Sequence, residues 1–281
     1  MKPSDDVKRI VKDHYAQIAG QSREDNAKSC CGAGGCSTID YAVFAEDYTK
    51  LNGYVADADL ALGCGIPTEF AQIRPGNTVV DLGSGAGNDA FVSRAIVGES
   101  GKVIGVDMTD EMIEKARKNC EKLGFNNVEF RFGDIEKMPI SAGTADVIVS
   151  NCVLNLVPDK ERAFKEIFRV LKVGGHFSIS DVVTSTTLPE KILRAAEMYA
   201  GCISGALNKT DYLGIIQKTG FANIRVVKEK PIIIPDETLG QYLNDDELKQ
   251  FRAAGNVLSS VTVYAEKPSC CAPGCCDPKT A

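Results

Sequence analysis

The sequence contains no tryptophan and only two histidines, His14 and His176, in 281 residues. A histidine general base or an imidazole-rich metal centre is therefore hard to assemble, and a site for a soft element must be built mostly from sulfur. Positive charge is also short: 32 Lys and Arg against 38 Asp and Glu leave a net charge of −6. Without a basic patch, nucleic acid is not an expected partner. No apolar run approaches the roughly 20 residues of a membrane helix, so no membrane partner is expected. The opening MKPSDDVKRIVKD lacks the apolar core of a secretion signal. Together these absences point to the cytoplasm, where thiols stay reduced.

What the chain has is cysteine. There are 11, an odd number that does not suit a complete disulfide framework. Cys30, Cys31 and Cys36 fall in a polar, glycine-rich stretch, and Cys270, Cys271, Cys275 and Cys276 in the tail CCAPGCC. Cys120 lies in a helical pattern and reads as a small buried hydrophobe. With 44% hydrophobic and 25% charged residues, the composition is that of a globular protein with a sizeable core.

The chain is organised around Val79 to Asp89, VVDLGSGAGND. A short apolar run ends in Asp81, glycines follow at 83, 85 and 87, and an amphipathic stretch comes next. This predicts a buried parallel strand, a tight turn including Ser84, and a helix. The spacing departs from the G-x-G-x-x-G of dinucleotide sites, and Asp81 would repel a pyrophosphate. A ligand with an ammonium and no phosphate suits it better. S-adenosylmethionine (SAM) is such a ligand, its carboxylate facing free N–H groups of the turn and its ammonium nearby acidic oxygens.

Strands are predicted near 78–82, 102–107, 127–132, 145–150, 176–183, 222–229 and 258–266, with helices near 5–19, 88–97, 110–123, 159–171, 189–200 and 211–219. The alternation predicts an α/β fold with a doubly wound, mostly parallel sheet. The last strand follows a longer connection and is expected to be antiparallel at an edge. Residues 1–76 are expected to form a helical lid with a thiol-rich loop, 77–266 the main domain, and 267–281 a cysteine-rich tail.

The strand ends supply the rest of a nucleoside site. Asp107 closes VIGVD twenty positions past Gly87, the place of an acid that accepts from ribose hydroxyls. Met108 then covers an adenine face. Gly133, Asp134 and Ile135 in FRFGDIEKMP cradle adenine, Asp134 accepting from its amino group. Asn151 ends the fourth strand beside the first. Cysteines stand where acceptor-binding residues should be: Cys64 between two glycines, Cys152 directly after Asn151, and Cys202 among small residues.

The run from Asp81 onward resembles the Rossmann-like SAM-dependent methyltransferases. More closely, LGCG at 62–65, DLGSGAG at 81–87, SNCVLNLVPDK at 150–160, RVLKVGG at 169–175 and CISGA at 202–206 look like the arsenite SAM methyltransferase family. That resemblance implies an enzyme of arsenic detoxification acting on arsenite or methylarsenite. It implies that Cys152 and Cys202 hold trivalent arsenic, with Cys64 as a third thiolate. It also implies an N-terminal relay cysteine among Cys30, Cys31 and Cys36, with Cys36 taken as the site residue, and a thioredoxin- or glutathione-type thiol reductant. The tail CCAPGCC would capture arsenic, bind another metal or stay a passive redox-sensitive appendage. Two other readings compete: a SAM methyltransferase of an organic small molecule, and a thiol-rich metalloid-binding or sensing protein.

Overall fold

The structure, a computed structural model, describes residues 4–21, 46–194, 203 and 205–269. The amphipathic N-terminal stretch forms α1 (Ser4–Ala19), and a short helix α2 covers Pro67–Phe70. Strands and helices then alternate: β1 (Thr78–Leu82), α3 (Asn88–Val97), β2 (Lys102–Asp107), α4 (Asp110–Leu123), β3 (Val128–Phe132), β4 (Ala145–Asn151), α5 (Lys160–Val170) and β5 (Leu171–Thr184). After α6 (Glu190–Arg194) and α7 (Lys209–Lys218), the chain returns through β6 (Ala222–Ile232), α8 (Asp236–Leu239), α9 (Asp245–Ala253) and β7 (Leu258–Glu266).

Seven strands make one sheet in the order β3-β2-β1-β4-β5-β7-β6. The first five are parallel, as the apolar runs of β1 and β4 require when helices cover both faces. β7 is antiparallel as expected, but it is not an edge strand: it sits between β5 and β6, and β6 forms the edge. Val261 and Val263, buried against β5, explain the interior position. β5 begins at Leu171, five residues earlier than expected, because its start pairs with Ala145 before a register shift. Gly174 and Gly175 lie within the strand, in the stretch where its pairing with β4 shifts register between Leu171 and His176.

Helix positions follow from local chemistry. Asp159 caps α5 by accepting from the Arg162 N–H at 2.9 Å. The helix then buries Ala163, Phe164, Ile167 and Val170 at i, i+1, i+4 and i+7. Phe164 packs edge-on to Tyr212 of α7 with ring centroids 5.7 Å apart, which fastens both helices over β5.

Asp181 of β5 lies fully buried beneath them, accepting from the Tyr212 hydroxyl at 3.4 Å and the Val182 N–H at 3.1 Å. Burial raises its pKa to about 7, against the pull of the Lys160 ammonium. The native state thus holds this proton more tightly than the unfolded chain does. The associated stability is full below about pH 4 and is lost as pH rises through 7, by roughly 4 kcal/mol at most. Asp181→Asn removes the titration. Its melting temperature relative to the unaltered protein should therefore rise between pH 5 and pH 8.5, and a difference constant with pH would contradict the burial argument.

Candidate active site

The order of strands reverses between β1 and β4, and the crevice at their carboxyl ends is where open α/β sheets bind ligands. Its lining contains Asp81, Gly83, Ser84, Gly85, Asp107, Met108, Asp134, Ile135, Asn151 and Cys152. The sequence therefore placed almost the whole set of candidate cofactor residues around one cavity.

The turn after β1 is more tightly satisfied than expected. Gly83 and Ser84 donate their N–H groups to the Val106 carbonyl at 2.8 and 3.1 Å, Gly87 donates to Ser84 O at 2.8 Å, and Gly85 donates to Asp107 Oδ2 at 3.0 Å. These four amides are not free to hold a ligand carboxylate, which corrects the expectation drawn from the glycine spacing. The cause is close packing of the turn on the end of β2. Gly83 has φ +63°, and a Cβ there would stand 2.3 Å from a Val153 methyl.

The cavity is acidic. Asp81 is buried, and its Oδ2 makes no hydrogen bond. Burial, then the carboxylates of Asp89 and Asp107, push its pKa well above the usual range. Burial raises Asp89 to about 6, although Asn151 and Tyr48 hydrogen bonds favour its charged form. Asp107, also raised by burial, accepts from the Thr109 N–H at 2.9 Å and the Gly85 N–H. Crowded carboxylates are relieved by a cation. The unbonded Asp81 Oδ2 and Ser84 Oγ thus fit an ammonium-bearing nucleoside rather than a phosphate.

Several lining residues escaped the sequence reading. Tyr48 donates to the Asp89 carboxylate at 2.9 Å. Asp59 and the first-turn acid Asp89 complete the negative wall. Lys8 of α1 reaches Asp134 at 2.6 Å and Glu136 at 2.5 Å, so α1 lies along the adenine end that Asp134 was expected to serve. A lone tyrosine and a lone lysine far from the glycine motif carry no local signal. Asp89, directly after the third glycine and in the helix first turn, could have been read.

Cys64 and Cys152 come together in one buried apolar cluster with Leu156, Val182, Leu188 and Ile203. Cys152 adopts φ +60°, in the left-handed region, just past the end of β4, and its N–H donates to Ser180 O at 2.8 Å. Cys202 lies outside the described residues, but Ile203, its neighbour in sequence, is fully buried in that same cluster. The relay candidates Cys30, Cys31 and Cys36 and the tail cysteines also lie outside the described residues. Cys120 is buried in α4, its thiol donating to the Phe125 and Val128 carbonyls at 3.6 and 3.7 Å, a packing role as expected.

The parallel sheet with its antiparallel end, the glycine turn and the acidic crevice define a SAM-dependent methyltransferase. A family model described as a methyltransferase domain matches residues 73–220. The arsenite methyltransferase of Halobacterium salinarum is 37% identical over 278 residues, covering 94% of this chain and 68% of that protein. The human arsenite methyltransferase is 35% identical, covering 85% of this chain and 64% of its own length. In three dimensions, an arsenic(III) S-adenosylmethionine methyltransferase from Chlamydomonas reinhardtii superposes with TM-score 0.62 at 35% identity, covering 73% of this chain and 68% of that one. The chain belongs to the arsenite methyltransferase family.

Proposed function

We propose that the protein methylates trivalent arsenic, with Cys64, Cys152 and Cys202 as the thiolates that hold arsenite and Cys152 and Cys202 sufficing for methylarsenite. The observation that carries this reading is the convergence of Cys64, Cys152 and Ile203 in one buried cluster beside the acidic crevice. Trivalent arsenic is soft and thiophilic, and three thiolates leave it a lone pair. Bound SAM supplies an electrophilic methyl on a cationic sulfonium. In this reading Asp81 and Asp89 face the ammonium, and Asp107 accepts from the ribose. Met108 and Ile135 enclose the adenine with Gly133, and Asp134 accepts from its amino group. The turn of Gly83, Ser84, Gly85 and Gly87 shapes the floor, and Asn151 borders the methyl.

The arsenic lone pair forms the As–C bond as the sulfonium S–C bond breaks, so no protein base is required and the side chains chiefly orient and dry the site. Arsenic is formally oxidised by two electrons. A cysteine pair including Cys36 would return them, becoming a disulfide that a thioredoxin- or glutathione-type thiol reduces. Such chemistry suits a cytoplasmic protein of arsenic detoxification. No helix among the described residues is long and apolar enough to cross a membrane.

The chain divides, in this reading, into a lid (1–76), a methyltransferase domain (77–266) and a tail (267–281). Support for the lid is that Lys8, Val11 and Tyr15 of α1 border the crevice. Lys267 still pairs with the sheet, donating its N–H to Gly175 O at 2.8 Å. The test is to incubate the protein with SAM, arsenite and a dithiol and to separate arsenic species by mass spectrometry. Methylated arsenic is expected. SAM turnover that ignores arsenite would favour the organic-substrate reading, and arsenite binding without turnover the sensing one.

A further inference from the structure

The segment around Cys64 is held by side chains that do not themselves offer sulfur. Asn151, the last residue of β4, points its amide at this loop. Its Oδ1 accepts from the Cys64 N–H at 3.0 Å and the Gly65 N–H at 3.3 Å. Its Nδ2 donates to Gly65 O and the Tyr48 hydroxyl, both at 2.8 Å, and to Asp89 Oδ2 at 3.2 Å. The pattern fixes which end of the amide is nitrogen: three oxygens face one side and two N–H groups the other. On the far side of the loop, Ser260 of β7 donates its hydroxyl to Cys64 O at 2.6 Å. The Cys64 peptide is thus pinned at its nitrogen by β4 and at its carbonyl by β7.

The two flanking glycines follow from this clamp. A Cβ at Gly63 would stand 2.5 Å from Asn151 Nδ2, and one at Gly65 would stand 2.6 Å from Ser180 Oγ. The loop must be bare on both sides of Cys64 to lie this close. Bare backbone is otherwise free to wander, so the pins are what give the thiol a fixed place. Asn151 also immediately precedes Cys152, whose own N–H is held separately by Ser180 O at 2.8 Å.

We propose that Asn151 and Ser260 are positioning residues that hold Cys64 in reach of arsenic and thereby determine whether inorganic arsenite, which needs the third thiolate, is accepted alongside methylarsenite, which needs two. The inference rests on the arsenic reading given above. It also moves the task of the Asn151 side chain from the cofactor to the loop, since both ends of its amide are occupied by protein groups. Ser260 is the sharper probe, being buried on β7 and no part of the crevice lining.

The experiment measures initial rates on arsenite and on methylarsenite for the unaltered protein, Cys64→Ser, Asn151→Ala and Ser260→Ala, with SAM affinity by calorimetry. Cys64→Ser should lower the arsenite-to-methylarsenite rate ratio at least tenfold. Asn151→Ala should do the same with its cysteines intact, and Ser260→Ala should lower the ratio at least threefold with SAM affinity within twofold. If Asn151→Ala fails to fold, the Ser260→Ala ratio decides. An unchanged ratio in Ser260→Ala, with Cys64→Ser selective, overturns the inference and leaves the arsenic reading standing. Equal slowing of both substrates by Asn151→Ala, with weakened SAM binding, makes Asn151 a cofactor ligand and also overturns it. An unaltered protein that methylates neither substrate overturns the reading and the inference together.

Discussion

Cys152→Ser and Cys202→Ser should each abolish arsenic methylation, by at least about 1,000-fold or roughly 4 kcal/mol of barrier, while SAM still binds. Serine keeps the size of the side chain but replaces a soft, ionisable ligand with a hard hydroxyl that stays protonated. Arsenic held by the remaining thiolates loses its fixed direction toward the methyl group. Orientation of bound reactants is worth about 7 kcal/mol or more in well-ordered sites, so losing part of it suffices for the drop. Cys152 is buried and borders the crevice, so its substitution changes sulfur chemistry inside the site rather than at a surface. The check is single-turnover methylation of arsenite and of methylarsenite by each variant, with SAM affinity measured in parallel. Near-normal methylation of either substrate by either variant would remove the arsenic site and put an organic methyl acceptor in first place.

Asp107→Ala should weaken SAM binding at least about 100-fold, near 3 kcal/mol. Two losses add. The ribose hydroxyls lose a charged acceptor, worth about 1.5–3 kcal/mol per hydrogen bond. The Gly85 and Thr109 N–H groups, which Asp107 holds at 3.0 and 2.9 Å, are released at the same time, and the turn that floors the cavity loosens. Calorimetry reads the affinity, and a melting curve separates it from general unfolding. Unchanged SAM affinity in a folded variant would show that the ribose sits elsewhere.

The sheet was legible because its signals are local. β1, β2 and β7 fall on the bounds that the apolar runs and breakers give, and α3 and α4 match theirs. What escaped has physical reasons. α9 lies in what the sequence presents as a long connection, although Asn244 and Glu247 form a capping box that announces it. The interior place of β7 depends on pairing with β6, a contact that no short window contains. The cavity shows the same division. Asp81, Asp107 and Asn151 lie at the ends of strands whose order the fold fixes, and Asp134 lies two residues past the end of β3, so their meeting could be read. Tyr48, Lys8 and Ser260 arrive from elements whose docking is decided by tertiary packing. Even at Asp134, the partner seen is a lysine 126 positions away.

The left-handed backbone at Cys152 places a sulfur where chain geometry alone would not choose one. Cysteine gains nothing from φ +60°, whereas glycine adopts it freely and asparagine at little cost; other side chains give up about 1–2 kcal/mol there. Selection for thermal stability alone would therefore drift away from sulfur at this position. A stabilising redesign that obeyed backbone preference would write glycine or asparagine at 152, gain a more robust fold and discard the sulfur to which the proposed function assigns arsenic.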